Sequence, residues 1–131
     1  MIDILRAGLL TTVQDLGRAR LREFGIASGN DPNAATLEIT MGACVLRFAS
    51  ATLVALAGAD CHADLDGVPV WSWWRFPVAR GQTLTLRPAR FGMRTYLAVA
   101  GGVDVPETLG SRSTDLAAGF GGFEGRALRD G

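Results

Sequence analysis

The sequence contains no lysine: all 13 basic residues are arginine. A Schiff-base lysine, a P-loop lysine and a biotinyl lysine are therefore excluded within this chain. Histidine is represented by His62 alone, and cysteine by Cys44 and Cys61. One imidazole and two distant thiols do not make zinc-ligand spacing. Asp60, Asp64 and Asp66 gather near His62, but Asp66-Gly67 already reads as a hairpin turn, so no metal is expected. Two isolated cysteines and a start without a secretion signal point to reduced thiols and a cytoplasmic location. No apolar run reaches the roughly 18 residues of a membrane span. Formal net charge is zero, so no basic face is on offer to nucleic acid. Helical periodicity of ordinary length is missing as well.

What remains is a chain of 131 residues, 48% hydrophobic with 17 glycines, long enough for one domain with a core and rich in turns. Short stretches of alternation or β-forming residues recur at roughly ten-residue spacing. They are Ile2 to Ile4, Leu37 to Thr40, Cys44 to Phe48, Thr52 to Ala57, Cys61 to Asp66, Thr83 to Arg87 and Tyr96 to Val99. Turn residues separate them, with Ala57-Gly58-Ala59-Asp60 read as an interruption. This pattern predicts a mainly β fold, a barrel or sandwich. A single domain over 1–131 is expected, with a loop-rich tail from 104. The tail ends without a stop pattern, which suggests that the chain continues. Trp71, Trp73 and Trp74 fall in a stretch read as strand. Trp71 and Trp73 share a parity and read as core, whereas an outward Trp74 suits a partner interface.

The candidate chemistry clusters in two places. Thr95 to Asp115 begins as a buried strand, Tyr96 to Val99. It then exposes backbone at Gly101-Gly102 and ends in the polar run Gly110-Ser111-Arg112-Ser113-Thr114-Asp115. Arg112 between two serines is a fair anion pocket, because a guanidinium suits carboxylate or phosphate. The alternative is a structural arginine bonding main-chain carbonyls. Earlier in the chain, Leu9 to Arg18 has a polar centre in Gln14, Asp15 and Arg18. Those three side chains could line a site. The plainer reading is a loop whose Asp15 bonds nearby backbone amides before the Gly17 turn. The glycine-rich stretch Gly119 to Gly125 does not match a phosphate-binding loop.

Several of these stretches, taken in order, resemble one family. They are LLTTVQDLGR at 9–18, LEIT at 37–40, AGAD at 57–60, YLAVAGG at 96–102, LGSRST at 109–114 and GGFEGR at 121–126. Together they resemble the N-terminal part of the allophanate hydrolase subunit 2 family. It is also called the KipA-like biotin-dependent carboxyltransferase family and includes the C subunit of 5-oxoprolinase. Two departures stand out. Family members are about twice as long, and between Ser28-Gly29 and Asn33 they carry a longer helix-forming insert where this chain has Asn30-Asp31-Pro32.

The resemblance implies a cyclophilin-like β-barrel. It implies a subunit of an ATP-dependent 5-oxoprolinase-type amide or lactam hydrolase, active only with a KipI-like (subunit 1) partner and possibly a LamB/YcsF-like subunit. ATP would be used by the complex. Two alternatives come with it. One is the carboxyltransferase component of a urea amidolyase or urea carboxylase, with biotin as visiting cofactor. The other is a non-enzymatic regulatory protein that antagonises a kinase inhibitor. On this reading Gln14, Asp15, Arg112 and Ser113 are the candidate catalytic residues. Arg18, Tyr96, Gly101, Gly102 and Ser111 are the candidate substrate-binding residues.

Overall fold

A computed structural model of the chain describes residues 2–15, 34–107, 111–114, 116–119 and 122–131. Its ten strands, in chain order, are β1 (Ile2–Arg6), β2 (Leu10–Gln14), β3 (Thr36–Thr40), β4 (Gly42–Phe48), β5 (Thr52–Asp60), β6 (Asp64–Leu65), β7 (Val68–Pro69), β8 (Arg75–Val78), β9 (Thr83–Pro88) and β10 (Phe91–Val99). No helix occurs among the described residues, and so none long and apolar enough to cross a membrane. The expectation of a mainly β fold is met. Two five-stranded sheets form, ordered β1-β4-β9-β6-β7 and β2-β3-β10-β5-β8.

Period-two alternation explains how the sheets face each other. In the first sheet Cys44, Leu46 and Phe48 of β4 and Leu84 and Leu86 of β9 point inward and are buried. In the second, Val13, Leu37, Ile39, Val54, Leu56 and Leu97 point back at them, and all join one apolar cluster. Removing one of these side chains to alanine costs about 2–5 kcal/mol in comparable cores. Asp66-Gly67 makes the hairpin read from sequence: Leu65 pairs with Val68, and both turn residues have positive φ (49° and 85°).

The edges of the two sheets are joined by the end of the described chain. Leu128 N–H donates to Thr11 O of β2 (2.8 Å), and Gly131 N–H donates to Ile4 O of β1 (2.7 Å). The Asp130 carboxylate accepts from Ala7 N–H at 2.7 Å, between those two strands. Residues 128–131 thus cover the β1 and β2 edges, which otherwise present unpaired backbone.

Three sequence expectations are corrected here. Ala57 to Asp60 does not interrupt a strand, because β5 runs through it. Gly58, at φ 93°, lies opposite a bulge in β10, where three residues between Phe91 and Thr95 face Ala59 alone. Leu9 to Arg18 begins not as a loop but as β2, paired along its length with β3. Trp71 and Trp73 are not core, whereas Trp74 faces outward as expected. Trp71, Trp73 and Trp74 lie between β7 and β8 and are 65%, 57% and 67% exposed. A tight turn at Ser72-Trp73, with Trp73 at φ 68°, breaks the alternation that would have turned two of them inward.

Candidate functional site

β2 brings the two sequence clusters together. The Asp15 carboxylate, 1% exposed, accepts from Ser111 Oγ (2.8 Å), Ser113 Oγ (2.8 Å) and the Arg112 amide (2.6 Å). Asp15 N–H donates to Ser113 Oγ at 2.9 Å, and Ser113 N–H to Ser111 Oγ at 3.0 Å. One residue further on, the Thr114 amide and hydroxyl both donate to Val13 O (2.9 and 3.0 Å). The Ser-Arg-Ser-Thr run is therefore stapled along the edge of β2, about a hundred residues away in sequence. The partners of Asp15 described here are distant ones, not the local turn that sequence alone allowed.

The staple fixes where Arg112 goes. Its Nε donates to Val105 O (3.1 Å), and one terminal nitrogen meets Glu107 Oε1 at 3.1 Å. The guanidinium is partly exposed and engaged with a main-chain carbonyl and a carboxylate. Gln14, half-buried at the end of β2, donates through Nε2 to Thr12 Oγ1 (3.0 Å) and Thr114 O (3.4 Å).

Gln14 also begins a polar strip that sequence reasoning missed. Val13, Leu37, Ile39 and Leu97 face the core, so residues of the other parity face outward. The cross-strand register then lines up Thr12, Glu38 and Tyr96 across β2, β3 and β10. Tyr96 OH donates to Glu38 Oε2 at 2.9 Å, and Arg94 Nε holds Glu38 Oε1 at 3.4 Å. Burial, with the Glu38 carboxylate second, pushes the Tyr96 phenol up to about 12. Tyr96 is thus a neutral donor at physiological pH. Ala57 lies opposite Tyr96 on β5, a small residue that leaves the phenol room. Glu38 and Arg94 belong with this strip. The signal for Glu38 was present: in Thr36 to Thr40 it is the acidic residue of outward parity.

The glycine pair has a simpler place. Gly101 and Gly102 (φ 84° and 85°) turn the chain out of β10, and Gly102 N–H donates to Val99 O at 2.9 Å. Val103 N–H then donates to Ala35 O at 2.9 Å. A β-carbon on Gly102 would come within 3.1 Å of the Ala34 side chain. Gly102 also lines a cavity of about 1,030 Å³, together with Val13, Phe48, Val105, Arg126 and Leu128. Structure thus joins Gln14, Asp15, Ser111, Arg112 and Ser113 in one network, with Tyr96 reached through the Thr12–Glu38 row. Arg18 and the shortened Asn30-Asp31-Pro32 passage lie outside the described residues. No group of three or more potential metal ligands occurs among the described residues.

Comparison with known proteins agrees with this architecture. A family model described as the carboxyltransferase domain, subdomain A and B, matches residues 18–131. The chain is 49% identical to the 5-oxoprolinase C subunit of Escherichia coli (strain K12), across all of this chain and 47% of that protein. It is 40% identical to the 5-oxoprolinase C subunit of Haemophilus influenzae, across all of this chain and 48% of that protein. It therefore spans about half the length of these relatives. The crystal structure of Kluyveromyces lactis urea carboxylase superposes with a TM-score of 0.89 at 31% identity, covering 98% of this chain and 13% of that one.

Proposed function

This chain belongs to the family of carboxyltransferase domains, subdomains A and B, and from that membership we propose that it is part of the C subunit of a 5-oxoprolinase. The assembly would open a lactam or small amide at the expense of ATP. It would need a KipI-like subunit, and possibly a LamB/YcsF-like one, to complete the active site. Support comes from the two 5-oxoprolinase relatives that match the full chain.

The observation that carries the chemistry is the polar strip from Gln14 to Tyr96 beside the stapled Ser111–Thr114 run. Opening an amide places negative charge on its oxygen, and fixed donors aimed at that oxygen lower the barrier. Tyr96 OH and Gln14 Nε2, which donate to Glu38 and to Thr12 and Thr114 in this structure, would exchange those partners for the substrate oxygen, with the Arg112 guanidinium beside them. Asp15, Ser111 and Ser113 act as positioning residues, because their hydrogen bonds go to one another and to the Arg112 amide. Glu38, gripped by Tyr96 and Arg94, is the available carboxylate for moving a proton. Arg18, Gly101 and Gly102 stay in the substrate-binding proposal on the family motif.

No P-loop, a glycine-rich loop between a strand and a helix, occurs among the described residues. In this proposal ATP is used by the assembly as a whole.

The test is ATP-dependent glutamate release from 5-oxoproline by the full-length protein, alone and with its partner subunits. Turnover only in the mixture is expected. Turnover of urea with carboxybiotin instead would favour the carboxyltransferase reading, to which the urea carboxylase likeness lends weight. Tight binding without turnover of either substrate would favour a regulatory protein.

A further inference from the structure

Opening 5-oxoproline takes more than donors for the lactam oxygen. The substrate also carries a carboxylate, and no residue assigned so far holds it. Arg112 is engaged through Nε with Val105 O and through a terminal nitrogen with Glu107. Arg94 is engaged on one side only. Its Nε meets Glu38 Oε1 at 3.4 Å, and neither terminal nitrogen hydrogen-bonds to a described residue. Nε carries one of the five N–H donors of a guanidinium, and the terminal pair carries the other four. The Arg94 side chain is 52% exposed, against 17% for Glu38, so a ligand can reach this fork.

The strands put the fork beside the phenol. Arg94 and Tyr96 are two residues apart on β10 and share its outward face. That spacing is about 7 Å along a strand, a span that a small lactam acid bridges. The bulge between Phe91 and Thr95 sets where Arg94 lies, with its carbonyl packed closely over Gly58. Bulges re-aim side chains in this way. Thr40 stands directly opposite Arg94 on β3, has the outward parity of Glu38 and is half-buried. Its hydroxyl bonds to no described residue. A planar guanidinium fork with a hydroxyl beside it suits a carboxylate. Glu38 keeps its contact with Arg94 Nε when Tyr96 turns to the lactam oxygen.

We propose that Arg94, with the Thr40 hydroxyl opposite it, holds the substrate carboxylate while Tyr96 meets the amide oxygen, so that the site selects a lactam acid over a neutral amide such as urea. The inference rests on the reading that the assembly opens 5-oxoproline, and it names the group that distinguishes that substrate from urea.

The test uses the reconstituted complex of the full-length protein with its partner subunits, in wild-type form and as Arg94→Gln and Arg94→Lys. Arg94 is half-exposed, so melting temperatures should match the wild type; if Arg94→Gln fails to fold, Arg94→Lys, which keeps the charge, decides. Arg94→Gln should raise KM for 5-oxoproline about 30-fold, the loss of a charge-assisted pair of hydrogen bonds, with kcat changed less than threefold. Arg94→Lys keeps a point charge without the fork and should raise KM about fivefold. The inhibition constant of 2-pyrrolidinone, the same lactam without the carboxylate, should stay within twofold in both variants. A KM for 5-oxoproline within twofold of wild type in the folded variants refutes the assignment. Equal weakening of 5-oxoproline and 2-pyrrolidinone refutes it too, because Arg94 would then act through the fold or through Glu38. In both cases the wild-type complex still opens 5-oxoproline and the underlying reading stands. A wild-type complex that does not open 5-oxoproline refutes both.

Discussion

Replacing Asp15 with alanine is the sharpest test of how the site is held. Its carboxylate is buried and accepts at least three hydrogen bonds, from two hydroxyls and one amide. Hydrogen bonds to a charged acceptor are worth about 1.5–3 kcal/mol each, and a buried donor left without a partner costs about 1–3 kcal/mol. The contributions do not add, because the Ser111 and Ser113 hydroxyls can turn towards each other once the carboxylate has gone. The Arg112 amide has no such freedom. An overall loss of about 3–5 kcal/mol follows, a large fraction of the 5–15 kcal/mol that folded domains typically possess. Asp15→Asn should lose about half as much, since one amide oxygen still accepts while the amide nitrogen opposes a donor. Urea denaturation of the full-length protein reads both values from the shift in midpoint at constant slope. Limited proteolysis should also show earlier cleavage near residues 111–114 in Asp15→Ala. Should Asp15→Ala lie within 1 kcal/mol of wild type, the staple would not hold the loop, and the positioning role would fall.

Four further outcomes are expected. Gly58→Ala should lose about 2–3 kcal/mol by denaturant titration, because its new β-carbon would lie 2.4 Å from Arg94 O at φ 93°. Tyr96→Phe should cost about 1 kcal/mol of stability, yet lower turnover of the reconstituted complex by more than tenfold; unchanged turnover would remove the phenol from the site. Arg112→Ala should likewise reduce turnover about tenfold with little loss of stability, its guanidinium being partly exposed and its ion pair with Glu107 at the surface. Burial raises the Cys44 thiol from 9.0 to about 11, so the folded state holds this proton more tightly than the unfolded chain. The resulting stability is fully present below pH 9 and is lost as pH rises through 11, on the order of 2–3 kcal/mol; Cys44→Ala should flatten that alkaline fall in urea midpoints.

Residue pattern alone was enough for the mainly β class, the Asp66-Gly67 hairpin and the inward leucines of β9, though not for β2 or the full length of β5. Each depends on local alternation or local turn geometry, which a sequence carries on its face. The family likeness was legible for a related reason, since several motifs kept their order along the chain. The partners of Asp15 were not legible, because nothing local says that an aspartate at position 15 will meet amides and hydroxyls near position 112. The Thr12–Glu38–Tyr96 row likewise depends on the register of three strands, two of them far apart in the chain. Trp71 and Trp73 were misjudged because a left-handed residue, Trp73, breaks the parity rule that strand reading assumes. Local chemistry thus determined the β class and the buried face of the regular strands. Only the tertiary structure, through long-range pairing and one strained turn, decided which polar groups meet and which aromatic groups stay in water.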